Sequence, residues 1–224
     1  MHQIPGPIAL IEIGAAAGLC LIPDYYSYVY SDGTIVHPPA GPSPVVIGCE
    51  ITAGTVPPSL ATPDIVWRAG LDLNPLDASN PDTAAWLMTL VWPEHDDRRD
   101  RLMAALKLAA NASIRIDRAD LRDGLGALLA EVPSDATVVV QHSATLAYLS
   151  AEDRRQAAAM IADSGARWIS FEGRGVIACT APVPESSGGP SVLFIAALDR
   201  APQATASGHG DTMAVLDTPS PTFV

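Results

Sequence analysis

The stretch ALIEIGAAAGLCL, residues 9–21, decides how the chain is read. Apolar residues around one carboxylate, Glu12, run directly into a small-residue loop bracketed by Gly14 and Gly18. A continuous apolar run of this kind suits a strand buried on both faces of a parallel sheet, here Ile8 to Ile13. Glycine at a strand end permits backbone angles and close approaches that a Cβ forbids. The amides that follow then point beyond the sheet edge. Either a ligand or another piece of the protein comes close to that loop.

Strand and helix signals alternate along the rest of the chain, the pattern of a parallel sheet with helices on its faces. A helix after Gly18 is cut short by Pro23. In YYSYVYSDGTIVH, Tyr26, Tyr28 and Tyr30 alternate up to the turn residues Ser31-Asp32-Gly33, which predicts a hairpin. A proline-rich loop leads to a strand from Val45 to Ile51, so residues 24–62 form a β-rich insertion within a single domain over residues 1–224. A strand is expected over Ile65–Leu73. Asn80-Pro81-Asp82 opens a helix that runs through TAAWLMTLVW to Pro93. An amphipathic helix follows from about Asp96 to Ala110, with Leu102, Leu106 and Ala109 on one face. Then come a strand over Ser113–Ile116, a helix over Leu121–Glu131, a β-branched strand over Ala136–His142, a helix over Ala151–Ser164 and a strand over Ala166–Gly173. The loop Thr180–Ser191 separates these from SVLFIAALD and TMAVLD, expected to close the chain as an antiparallel pair. The fold class is α/β: a Rossmann-like, doubly wound, mostly parallel sheet with a β-hairpin insertion.

Composition narrows the function. The chain has 224 residues, 48% hydrophobic and 17% charged, which is ordinary for a globular domain. No apolar run approaches the roughly 18 residues of a membrane span. The start lacks a basic secretory n-region, so the cytoplasm is the expected compartment. A formal charge of −12 repels phosphate backbones and argues against nucleic acid as a partner. Cys20, Cys49 and Cys179 are scattered, and the histidines show no ligand spacing, so no metal site is assigned. Trp92-Pro93-Glu94-His95 reads as a helix end with a packed tryptophan and solvated charges, and the hairpin tyrosines as a packing face.

A dinucleotide loop wants G-x-G-x-x-G, but the corresponding positions here are Gly14, Ala16 and Leu19. What remains, EIGAAAG, resembles motif I of class I S-adenosylmethionine-dependent methyltransferases, with Ala16 in place of the central glycine. GLDLNP, Gly70 to Pro75, resembles the same superfamily's second-strand end. There a carboxylate, here Asp72, accepts from the ribose hydroxyls, as two oxygens suit a vicinal diol. Asp72 could instead cap a turn with Asn74-Pro75. Asp120-Leu121 falls where the superfamily contacts adenine, although Asp is equally a helix N-cap. Gln141-His142-Ser143 ends the strand that reaches toward the transferring methyl, and His142 is either a general base or a hydrogen-bonded structural histidine. These elements occur in the order a seven-stranded methyltransferase sheet requires. The resemblance implies that Glu12, Gly14, Ala15, Ala16, Gly18, Asp72, Leu73, Asp120, Leu121 and Gln141 bind S-adenosylmethionine, with His142 catalytic.

The whole chain resembles more closely the uncharacterised bacterial family called domain of unknown function 2332, through EIGAAAGLCL, GLDLNPLDASNPD, LVWPE, HSATLAYL and SFEGRGV. That resemblance implies the methyltransferase-like fold and brings no reaction with it. Its members usually carry a helical region ahead of the glycine loop, and with only a few residues ahead of that strand here the expectation is that such a region is missing or was lost. A homo-oligomer could supply the missing cover. The leading expectation is therefore an S-adenosylmethionine-dependent methyltransferase acting on a small molecule. The alternative is a methyltransferase-like module that binds without catalysis, which the short loop helix and Ala16 favour.

Overall fold

At the centre of the computed structural model lies strand β1, Ile8–Ile13, all six residues of which are buried. It pairs in parallel with β5 (Ile65–Asp72) on one side and β7 (Thr137–Ser143) on the other. The structure describes residues 1, 3–57, 60–112, 114–184 and 193–216. Readings that fall on His2, Ser113, the latter part of the Thr180–Ser191 loop and the chain beyond Leu216 lie outside the described residues.

Beyond β5 comes β6 (Arg115–Arg118), and beyond β7 comes β8 (Arg167–Gly173), both parallel to their neighbours. The chain moves from β1 to β5 to β6 in one direction, then crosses back to β7 and on to β8. Because parallel crossovers are right-handed, the two directions put their connections on opposite faces. Helices α3 (Leu121–Glu131) and α4 (Ala151–Asp163) accordingly share one face. There Leu125, Leu128 and Ile161 pack on Ile11, Leu71, Val140 and Trp168. The other face carries two single 3₁₀ turns, Leu19–Leu21 and Pro23–Tyr25, and helix α2 (Asp96–Asn111). Pro23 thus limits the post-glycine helix to one turn. Helix α1 (Pro81–Thr89) is capped by the Asn80 side chain, which accepts from the Asp82 amide, and it ends short of the predicted Pro93. None of its residues is fully buried. On α2 the buried positions are Ala105, Leu106 and Ala109, with Leu102 only half-buried.

The sheet departs from the expected seven strands. Among the described residues it has eleven, in the order β3-β2-β4-β11-β10-β9-β8-β7-β1-β5-β6. One addition is β10, Ala201–Ala206, which lies between β9 (Phe194–Leu198) and β11 (Thr212–Val215). The expected pair of SVLFIAALD with TMAVLD is therefore a three-stranded meander. The other addition is the insertion, whose hairpin β2 (Ser27–Tyr30) and β3 (Ile35–Val36) turns at Gly33 with φ of 89°. Its long strand β4 (Val46–Ala53) pairs with β2 and, at the far side, with β11. No helix among the described residues is long and apolar enough to cross a membrane.

Two glycines inside α3 provide a matched test of this packing. A methyl at Gly124 would meet Leu71 Cδ2 at 2.7 Å and Ala119 Cβ at 2.9 Å, whereas one at Gly126 meets nothing within 4 Å. Gly126→Ala should stabilise the protein by about 0.5–1 kcal/mol through the unfolded chain and helix propensity. Gly124→Ala should destabilise it by about 1–3 kcal/mol through overpacking. Urea unfolding of both variants checks the difference in sign.

Candidate functional site

The glycine loop leaves β1 at the sheet's carboxyl edge, between the ends of β5 and β7, and its backbone is committed to those neighbours. The amides of Gly14 and Ala15 both donate to the Leu71 carbonyl, at 2.8 and 3.1 Å. Ala16 has φ of 48°, a left-handed conformation unusual for a residue with a Cβ. Its amide donates to Asp72 Oδ2 at 2.8 Å, which holds that conformation in place. Asp72 Oδ1 accepts from the Asn74 amide at 2.7 Å, so the carboxylate caps its own turn and also ties the loop to β5.

The close approaches that the glycines permit are made by protein atoms. A methyl at Gly14 (φ 72°) would stand 2.6 Å from Thr145 Cγ2. At Gly18 (φ 73°) it would stand 3.1 Å from Ile114 Cγ2. Across the sheet, Gly70 leaves room for Ala15, whose Cβ would lie 2.5 Å from an added methyl.

Asp120 and Leu121 also turn inward to the fold. Asp120 caps α3 by accepting from the Arg122 amide at 2.9 Å. It forms an ion pair with the Arg122 guanidinium that takes its pKa down to about 2. Leu121 is buried in the α3 core. Leu73, by contrast, is 67% exposed next to Asp72, and the guanidinium of Arg118 reaches the Leu73 carbonyl at 3.1 Å. Among the expected contact residues, Asp72 and Leu73 offer both polar and apolar surface at the edge.

Two buried glutamates flank the switch between β1 and β7, one on each face of the sheet. Glu12 lies under the loop beside Gln141, whose side-chain amide donates to the Cys20 carbonyl at 2.7 Å. Burial pushes the Glu12 pKa well up, the Cys20 thiol pulls against that, and the nearby Asp72 charge adds to it. Its Oε2 has no hydrogen-bond partner among the described residues. On the opposite face the His142 side chain is wholly buried. Trp168 Nε1 can only donate, and it lies 2.9 Å from His142 Nε2. The proton therefore sits on Nδ1, which donates to Glu172 Oε1 at 2.8 Å. The same oxygen accepts the Thr145 and Leu146 amides, each at 2.9 Å. Burial alone would raise the Glu172 pKa, but the His142 hydrogen bond and these amides outweigh it and hold it below the usual value.

His142 thus fits the second of its two sequence readings. Both ring nitrogens are hydrogen-bonded and the side chain is wholly buried. Its work is positional: with Glu172 it fixes the Ala144–Leu146 turn, in which Ala144 has φ of 50°, and through Thr145 it sets the packing on Gly14. Sequence reasoning missed Trp168 and Thr145. Period two puts Trp168, Ser170 and Glu172 on one face of β8, and the register of Ser170 with His142 makes it the face of His142. Trp92, expected to pack, is 72% exposed. Among the described residues no three His, Cys, Asp or Glu side chains gather as metal ligands.

A family model described as an uncharacterized protein conserved in bacteria (DUF2332) matches residues 1–214. No curated protein and no solved structure matches the chain.

The two glutamates should respond oppositely to pH. For Glu12 the folded pKa is raised, so folding favours the protonated form and stability is lost as pH rises above the unfolded value of 4.5. Glu12→Gln should therefore gain stability over the parent between pH 4 and pH 7. For Glu172 the folded pKa is depressed, so its contribution is present above 4.5 and is lost as pH falls through the folded value. Glu172→Gln should be destabilised at pH 7 by about 1–3 kcal/mol, with the gap closing in acid. Denaturant melts of both variants across this range measure the two slopes.

Proposed function

The chain belongs to the DUF2332 family, and on that premise we propose that it is a methyltransferase-like domain that binds S-adenosylmethionine at its carboxyl edge and acts on a small-molecule acceptor. The observation that carries this reading is the strand order β6-β5-β1-β7-β8, with the glycine loop at the point where the order reverses. Open α/β sheets bind ligands there. A Rossmann-like, doubly wound core of this kind supplies five of the methyltransferase strands; the meander and the insertion are additions to it.

The residues fit the nucleoside end of such a cofactor better than its amino-acid end. Each Asp72 oxygen accepts one amide and has a second lone pair for a ribose hydroxyl. Leu73 offers the apolar surface that an adenine ring covers. S-adenosylmethionine, when bound, supplies an electrophilic methyl on a sulfonium. The chain's own part is to hold the nucleoside and to exclude water around the acceptor. His142 contributes by positioning the β7 turn, so the reading calls for an acceptor that needs no deprotonation by this histidine.

A second reading is the module that binds without catalysis. It is favoured by the loop itself, since Thr145 and Ile114 occupy the space next to Gly14 and Gly18.

Calorimetric titration with S-adenosylmethionine and S-adenosylhomocysteine distinguishes the two. The methyltransferase reading expects saturable binding that Asp72→Asn weakens by at least about tenfold, through loss of charge-assisted hydrogen bonds worth roughly 1.5–3 kcal/mol. Leu73→Ala, at an exposed position, should also weaken it without unfolding the domain. Binding at about 100 times the dissociation constant should raise the melting midpoint by roughly 5–11 °C. No heat and no shift with either compound would leave the non-catalytic module.

A further inference from the structure

A large cavity among the described residues lies away from the glycine loop, at the opposite edge of the sheet. Gln3 ahead of β1, Pro57 and Pro63 ahead of β5, and Leu198 at the end of β9 all line it. Leu198 is antiparallel partner to Ile169 of β8, another lining residue, which places both toward the start of the parallel strands. The far wall is the insertion, with Tyr28, Tyr30 and Ile51. In strand order these walls are separated by β11 and β10, so the sheet curls and the cavity is the inside of the curl.

Its volume is about 640 Å³. Protein interiors are close-packed, with few voids larger than a water molecule, whereas small-molecule sites occupy roughly 300–1,000 Å³. The lining is mostly aliphatic and aromatic, and no Asp, Glu, Lys, Arg or His contributes to it. The polar side chains of its lining are those of Gln3, Gln203, Tyr28, Tyr30, Thr55 and Thr62. The Gln3 side-chain amide donates to Gln203 Oε1 at 2.9 Å, and Gln203 Nε2 donates to the Ala201 carbonyl at 3.0 Å, so each amide retains a second N–H. Burial pushes the Tyr30 pKa up, which favours its neutral, donating hydroxyl.

From this we infer that the curl is a second ligand site, for an uncharged and largely apolar small molecule with one hydrogen-bonding group. The lining carries no charged side chain, and burial, with the Arg167 charge, lowers the pKa of the Met1 amine that stands beside it, so the site selects against an ionised head group, because a buried charge without a partner costs several kcal/mol. It also sets this site apart from the S-adenosylmethionine reading, since that cofactor carries a sulfonium and an ionised amino-acid end. The two sites can stand or fall separately.

The test is fluorescence titration of the full chain with N-phenylnaphthylamine, an uncharged apolar probe, followed by competition with decanol and with decanoate. The expected result is saturable one-to-one binding from which decanol displaces the probe at least about tenfold more effectively than decanoate. Ala196→Phe, which puts a ring into the cavity from β9, should abolish probe binding while circular dichroism stays native. Should that variant fail to fold, the competition on the parent protein still decides. No saturable binding, equal displacement by the alcohol and the carboxylate, or undiminished binding to folded Ala196→Phe would overturn the assignment.

Discussion

Arg68 fastens two regions that the strand order keeps far apart. Its guanidinium makes a bidentate pair with Asp24 at 2.7 and 2.8 Å and also donates to the Leu21 carbonyl at 2.8 Å. Asp24 lies just ahead of β2, near one end of the sheet, and Arg68 sits on β5, near the other. The pair is less than one-fifth exposed, at 16% and 18%, and the Tyr25 ring covers the cation at 5.3 Å. Bidentate geometry and three kinds of partner offset the cost of drying the two charges. With these ends fastened, an eleven-stranded sheet has to curl. Val45 and Tyr26 then pack with Ala105 and Ala109 of α2, and the concave side keeps its cavity.

The carboxyl edge illustrates how one sequence pattern can serve two physical ends. A glycine-bracketed turn after a strand is equally suited to a ligand and to a side chain from the next strand over. Here Thr145 makes the approach to Gly14, and Asp72 is spent partly on the loop that it follows. The buried glutamates extend the same theme. Each lies beside the switch point, yet the surroundings of Glu12 raise its pKa and those of Glu172 lower it. Environment, rather than residue type, divides their roles.

Much of the parallel core was legible. α3 was read at its observed bounds, because Asp120 marks its start and its apolar residues keep a helical period. β1, β5, β7 and β8 came out within a residue or two, as their apolar and β-branched runs are long enough to outweigh local ambiguity. β10 was not legible: APQATA contains a proline, two polar residues and little β-branched bulk, and it becomes a strand because β9 and β11 flank it. The joining of the insertion to β11 was hidden for a related reason, being a pairing between distant segments that leaves no local mark. His142 shows the limit for the site. In a run apolar on both sides, period two does not tell which face a side chain takes, so the buried triad with Trp168 and Glu172 needed the register.

The β4–β11 seam also bears on the order in which the protein can be made. Residues Val46–Ala53 leave the ribosome well before their neighbour on that side, Thr212–Val215. In that interval the nascent chain carries a long strand with one edge unpaired, the kind of template that recruits other chains. Val46, at the start of that strand, is 48% exposed even in the finished fold, while Glu50 within it presents a carboxylate to solvent. Charge on a waiting edge discourages premature partners, and on this strand the Glu50 carboxylate supplies it.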